Sequence, residues 1–235
     1  MSLTPGFHAL WPTPIGVHRL PDAAAVNAGF LRRFAALRAE QTQARGLAPD
    51  APFFASDDRL MPHLQALPEG QRFLRFVGES LRETVGQANV QAWAGHALAP
   101  RVDIQGMWFQ CSRQGAFHDV HTHANCSWSA AYIVQIDPTE QRIAHPVYGA
   151  GNGVTRFYGT PFSHLGGAFV DLGNAYLLPP QVDLPPVAGQ LVLFPSWLAH
   201  KAMPYDGVAE RVIISFNASV SNQGGPSLLH HYGPA

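Results

Sequence analysis

The stretch Gly189-Gln-Leu-Val-Leu-Phe-Pro-Ser-Trp-Leu-Ala-His200 decides how the fold is read. Its apolar run from Gln190 to Phe194 is too short for a helix and carries the branched and aromatic side chains of a buried strand. Pro195 ends it, because proline has no N–H to give to a sheet ladder. Three more segments read alike: Asp103 to Gln110, Trp128 to Ile136 and Arg211 to Ala218, each rich in Ile, Val, Phe, Trp or Tyr. Asp137-Pro138, Gly149 to Gly153, Gly166-Gly167, Pro179-Pro180 and Pro185-Pro186 supply turn signals between them. Strands separated by Gly and Pro, without intervening helices, predict an antiparallel sandwich or barrel from about Arg101 onward. Residues 137–189 resist assignment and are expected to form a long excursion over one end of the sheets.

Upstream the period changes to that of helices. Asp22 is placed to cap a helix in which Val26, Phe30, Leu31, Phe34 and Leu37 recur every three or four residues, and Gly46 closes it. A second segment, about Glu69 to Gln87, sets Phe73, Val77, Leu81 and Val85 on one stripe, with Gly86 near its end. Both stripes are expected to face a core. The expectation is a single domain over 1–235, with a mainly helical part, 1–100, packed on a β-rich core, 101–235.

Composition narrows the function. Of 235 residues, 46% are hydrophobic and only 13% charged, which suits a sizeable core and excludes wholesale disorder. A net charge of −1 provides no broad basic surface for nucleic acid or anionic lipid. The longest apolar runs, such as Leu191 to Phe194, fall far short of the roughly 20 residues of a membrane helix. The opening Met-Ser-Leu-Thr-Pro-Gly lacks a basic segment followed by an apolar one, so no signal peptide is expected and the cytoplasm is the expected location. Cys111 and Cys126 are too few for a cysteine-rich zinc site; one disulfide between them stays open.

Histidine stands apart, with 12 in the chain. The segment Gly115-Ala-Phe-His-Asp-Val-His-Thr-His-Ala-Asn125 holds His118, His121 and His123. On a strand, residues i and i+2 share a face about 6.6–6.8 Å apart, so His121 and His123 can lean onto one ion while Thr122 points away. His200, just past its apolar strand, offers a third imidazole. Three neutral imidazoles leave coordination positions open, as a catalytic metal requires. Asp119 supplies a carboxylate, orients an imidazole from outside the ligand set, or is simply solvated, with ligation ranked below the other two. In Arg211-Val-Ile-Ile-Ser-Phe-Asn217, alternation puts Val212, Ile214 and Phe216 on one face and Arg211, Ile213, Ser215 and Asn217 on the other. An inward arginine suits a bound carboxylate; its plain alternative is an ion pair with Asp206 or Glu210.

This arrangement resembles the 2-oxoglutarate/Fe(II) oxygenase superfamily, whose pattern is a His-x-Asp/Glu pair, a distal His, and an Arg or Lys roughly ten residues later. More narrowly it is similar to a bacterial and phage branch with a His-x-His-Pro pair, a following Ser-Gly-Val-Tyr-Tyr strand, a Phe-Pro-Ser-Trp segment before the distal His, and an Arg…Ser-Phe-Asn ending. The corresponding residues here are His121-Thr-His123, Ser129-Ala-Ala-Tyr132, Phe194-Pro-Ser-Trp197, His200, and Arg211…Ser215-Phe-Asn217, with Leu10-Trp-Pro-Thr-Pro-Ile15 similar to that branch's start. Ala124, Ala130 and Ile133 depart from it, and His123 stands where the superfamily has a carboxylate. The resemblance implies a mainly β (α+β) fold, a double-stranded β-helix or jelly roll with N-terminal helices outside. It implies Fe(II) on His121, His123 and His200, and 2-oxoglutarate as cosubstrate. Arg211 would hold the far carboxylate, with Ser215 and Tyr132 or Asn217 beside it, and the reaction would hydroxylate a C–H bond.

Two other readings are carried alongside. A cupin-like three-histidine metalloenzyme without 2-oxoglutarate explains the imidazoles but leaves Arg211 idle. A metal-free jelly-roll binding module explains the fold alone. The prime substrate, small molecule or peptide, is not legible; Arg142, His145, Arg156 and His164 are candidate contacts. Trp108, Phe109, Trp128 and Trp197 are expected mostly in the core. Oligomeric state, a homodimer included, is left open.

Overall fold

A computed structural model describes residues 13–159, 172–177 and 179–223. Its ten strands are β1 (Gly16–Arg19), β2 (Phe53–Ala55), β3 (Pro100–Ser112), β4 (Ala116–His121), β5 (Trp128–Gln135), β6 (Thr155–Tyr158), β7 (Gln181–Leu184), β8 (Gln190–Pro195), β9 (His200–Tyr205) and β10 (Arg211–Asn222). The helices are α1 (Ala23–Arg45), α2 (Leu60–Gln65), α3 (Pro68–Ala88), α4 (Val90–Trp93) and α5 (Thr139–Ile143). Two antiparallel sheets form, in the orders β1-β8-β5-β10-β3-β2 and β4-β9-β6-β7. They make the rolled sandwich of a jelly roll, mainly β with helices on the outside.

Both helical stripes face a core, as their spacing requires. Phe30, Phe34, Phe73, Val77 and Leu81 are buried on α1 and α3 against Phe109, Tyr132, Ile214 and Phe216 of the large sheet. Phe34 stacks on Phe109 with centroids 4.3 Å apart. Gly46 ends α1 in the left-handed region (φ 62°), where the N–H groups of Gly46 and Leu47 close on the carbonyls of Gln43 and Thr42. Pro68 opens α3, a position that needs no N–H. Gly70 lets α3 approach α2, since a Cβ there would meet the Leu64 carbonyl oxygen.

Several expectations are corrected in detail. Asp22 does occupy the N-cap position of α1, but its carboxylate makes no cap bond and pairs with Arg72 at 3.1 Å. α3 ends at Ala88 with Gly86 near its end, as expected. β3 and β10 are longer than expected and pair along almost their whole length, with a bulge at Asn217/Ala218. The 137–189 region is not simply an excursion: it contributes β6 and β7 to the small sheet, joined across by Arg156 and Asp183 at 2.6 and 2.8 Å. Two four-residue strands are too brief for alternation to stand out. Cys111 and Cys126 are free thiols, so no disulfide joins them. No helix among the described residues is long and apolar enough to cross a membrane.

Candidate functional site

The two faces of the large sheet differ in chemistry. On β10, Val212, Ile214 and Phe216 join the helix-side core, whereas Arg211, Ile213 and Ser215 line a cavity of about 570 Å³ between the sheets. Phe157, Val192, Phe194 and Leu198 form a second, smaller apolar cluster that packs between the sheets. From β3, Trp108 and Gln110 look into the cavity; from the small sheet come His118, His121, Thr155, His200 and Ala202.

Strand register brings the imidazoles together. His121, the last residue of β4, is the direct partner of His200, the first residue of β9. The rings lie 4.3 Å apart, centroid to centroid. His123 sits beyond the end of β4, not on it as expected, and its N–H donates to the Ser196 carbonyl at 2.9 Å. That tether turns its ring onto His200, nearly parallel, with the two Nε2 atoms 3.3 Å apart. One ligand atom from each of His121, His123 and His200 lies within 4.8 Å of the others.

Backbone carbonyls set the tautomers. Nδ1 of His121 lies 2.6 Å from the Asp119 carbonyl oxygen, and Nδ1 of His200 lies 2.9 Å from that of Leu198. A carbonyl only accepts, so each Nδ1 carries the proton and each Nε2 keeps its lone pair for the centre. Burial pushes the pKa of His123 and of His200 down to about 4, which keeps both imidazoles neutral near pH 7, the ligating form. This donor set fits a divalent first-row metal. Asp119 takes part through its backbone; its carboxylate is exposed and held by Lys201 at 3.2 Å and by the Val120 N–H.

Arg211 is 3% exposed, and its guanidinium hydrogen-bonds to no described residue; its Nε is buried without a partner. Arg113 and Arg142 also have an unpartnered Nε, but other nitrogens of theirs donate to carbonyls of Asp50, Asn152 and Pro186. The two carboxylates considered as ion-pair partners are engaged elsewhere. Glu210 receives two bonds from Arg38 at 2.8 and 2.9 Å, and Asp206 lies 3.5 Å from His145. Burial, with Arg142 nearby, lowers the Arg211 pKa to about 10, against the opposing influence of Tyr205. The guanidinium is therefore cationic and in want of an anion at neutral pH.

Two expected members of the site lie elsewhere. Tyr132 is fully buried on the helix side, its ring against Phe73 and its hydroxyl donating to Asn27 at 2.8 Å. Register explains this: Tyr132 sits opposite Ile214, so it shares the apolar face of β10. Asn217 accepts a bond from its cross-strand partner Ser129 at 2.9 Å and is absent from the cavity wall. Ser215 stays in the wall. Of the aromatics, Phe109 and Trp128 are core, Trp108 lines the cavity and Trp197 is 56% exposed. Arg142 and Arg156 are engaged within the protein, His145 accepts the N–H groups of Val147 and Tyr148, and His164 lies outside the described residues, as do residues 10–12 of the opening motif. Sequence reading missed Gln110 as a wall residue, although its alternation with Trp108 was available to find it.

Residues 106–217 match the family described as “Putative 2OG-Fe(II) oxygenase”. No curated protein sequence matches the chain. Among solved structures, AviO1 from Streptomyces viridochromogenes Tue57 is similar over 88% of this chain and 90% of its own, at 15% identity and a TM-score of 0.52. HygX from Streptomyces hygroscopicus, with nickel and 2-oxoglutarate bound, is similar over 88% and 83%, at 10% identity and a TM-score of 0.50. The epimerase SnoN, in complex with Fe3+, alpha ketoglutarate and nogalamycin RO, is similar over 89% and 82%, at 13% identity and a TM-score of 0.50. At these identities the likeness is one of fold.

Proposed function

Because residues 106–217 match the family described as “Putative 2OG-Fe(II) oxygenase”, we propose that this chain is a dioxygenase that uses Fe(II) and 2-oxoglutarate to hydroxylate an organic substrate. One observation carries the reading: a single cavity holds three convergent imidazoles and a buried guanidinium with no acceptor among the described residues. The donor set suits the metal, and the guanidinium suits the far end of a diacid.

In this reading His121, His123 and His200 hold the iron, with His121 and His200 oriented by the Asp119 and Leu198 carbonyls. Bound iron supplies oxygen activation coupled to oxidative decarboxylation of the 2-oxo acid, giving succinate, carbon dioxide and a hydroxylated product. Arg211 fixes the cosubstrate's length and direction along the cavity, and Ser215 offers a hydroxyl on the same wall. Phe194, Ile213 and Trp108 keep that wall apolar, which strengthens the guanidinium–carboxylate attraction. His123 in place of a carboxylate leaves the centre one unit more positive than the superfamily's usual ligand set, which favours anionic partners. The two half-exposed imidazoles, His121 and His123, open the centre outward and suit a small-molecule or peptide substrate that approaches from solvent. Free Cys111 and Cys126 fit a reducing compartment such as the cytoplasm.

Anaerobic addition of Fe(II) and then 2-oxoglutarate tests the proposal. A visible charge-transfer band should appear only when both are present. Stoichiometric iron without that band points instead to a three-histidine enzyme that does not use 2-oxoglutarate. Absence of bound metal points to a binding module.

A further inference from the structure

Arg211 is not the sole unsatisfied polar group at its end of the cavity. On β3, Met107, Phe109 and Cys111 belong to the helix-side core, while Trp108 and Gln110 look inward. Gln110 is 9% exposed, lines the cavity, and its amide hydrogen-bonds to no described residue. Ser112 pairs with Arg211 and Gln110 with Ile213, which makes Gln110 and Arg211 diagonal neighbours. Such neighbours lie about 7–8 Å apart, within reach of two long side chains.

His118 reaches the same space from the opposite sheet. Its ring is held by Phe53 at 4.9 Å and meets His121 at 5.6 Å, centroid to centroid, but its nitrogens hydrogen-bond to no described residue. It lies outside the convergent set of His121, His123 and His200, and within electrostatic reach of both His121 and Arg211. Three strands thus turn into one region three nitrogen-bearing side chains that have no hydrogen-bond partner among the described residues.

A carboxylate has about four lone-pair sites, and a guanidinium fork fills two of them. Amide and imidazole N–H groups on either side fill the others. We propose that Gln110 and His118 complete, with Arg211, a three-strand cradle for the distal carboxylate of the 2-oxo acid, and so restrict the cosubstrate to diacids. A monoacid leaves the buried Arg211 guanidinium and Gln110 amide without the carboxylate partner, which is costly. This rests on the function proposed above.

The test uses iron-loaded protein under anaerobic conditions, titrated with 2-oxoglutarate and with 2-oxobutyrate, which lacks the far carboxylate. Gln110→Leu removes the amide, and His118→Phe keeps a ring against Phe53 while removing its N–H. Each should weaken 2-oxoglutarate binding roughly 10- to 100-fold, with 2-oxobutyrate changed less than about threefold and iron content unchanged. Gln110→Glu, nearly isosteric, should weaken the diacid further by opposing its charge. Retention of 2-oxoglutarate affinity in the Leu and Phe variants overturns the cradle, as does equal weakening of both acids. Loss of iron from His118→Phe reassigns that residue to the metal centre and overturns its place here. Iron-loaded wild-type protein that binds no 2-oxoglutarate overturns the underlying function instead.

Discussion

His121 and His200 are direct partners across β4 and β9, and each sets its Nδ1–H on the backbone carbonyl two residues earlier in its own chain segment. The same local device, used twice, turns both Nε2 lone pairs toward one point. His123 joins them through a single backbone bond to Ser196.

Replacing His200 by Ala should abolish stoichiometric iron binding, because it removes the buried member of the trio, 7% exposed. Metal content after gel filtration measures this directly. Full occupancy in the variant would remove His200 from the ligand set.

Arg211→Met should act in two opposite directions. The methionine relieves the burial of an unpartnered charge, raising the stability of the metal-free protein by about 1–3 kcal/mol, a gain of roughly 2–4 °C in Tm for each kcal/mol. Affinity for 2-oxoglutarate should fall about 100-fold or more, while iron content stays at wild-type level. Thermal melts and titration calorimetry separate the two effects; a destabilised variant would mean that the guanidinium has a partner inside the protein.

Tyr132→Phe distinguishes the two faces of β5. Loss of the hydroxyl bond to Asn27 should cost about 1–2 kcal/mol of stability. Binding of 2-oxoglutarate should not change. A weakened titration with an unchanged melting temperature would return Tyr132 to the cavity.

Acid should destabilise the metal-free protein in a defined window. His123 and His200 are held neutral by burial until pH falls to about 4, whereas in the unfolded chain such groups take up protons near pH 6.5. Between those values the unfolded state binds more protons, so stability rises with pH across the window and levels off above it. Melting temperature followed from pH 7.5 down to pH 4 should fall progressively. Substituting both histidines by Gln should flatten that slope, and an unchanged slope would assign it to other groups.

Much of this molecule was legible in its chain. Spacing of Phe30, Phe34, Phe73 and Val77 announces two helices with one buried stripe each, since a 3.6-residue period has no other economical use in a folded chain. Alternation in β10 separates Arg211 and Ser215 from Ile214 and Phe216, because a strand's side chains can only alternate. Parity within one strand, however, does not say which face meets a helix and which meets a cavity. That depends on register with strands far away in sequence. Pairing of Tyr132 with Ile214 sends its ring to the helices; pairing of Gln110 with Ile213 and of His121 with His200 creates polar company that no local pattern contains. Local periodicity is written residue by residue, whereas the meeting of β3, β4, β9 and β10 is a property of the closed roll, and the site exists only there.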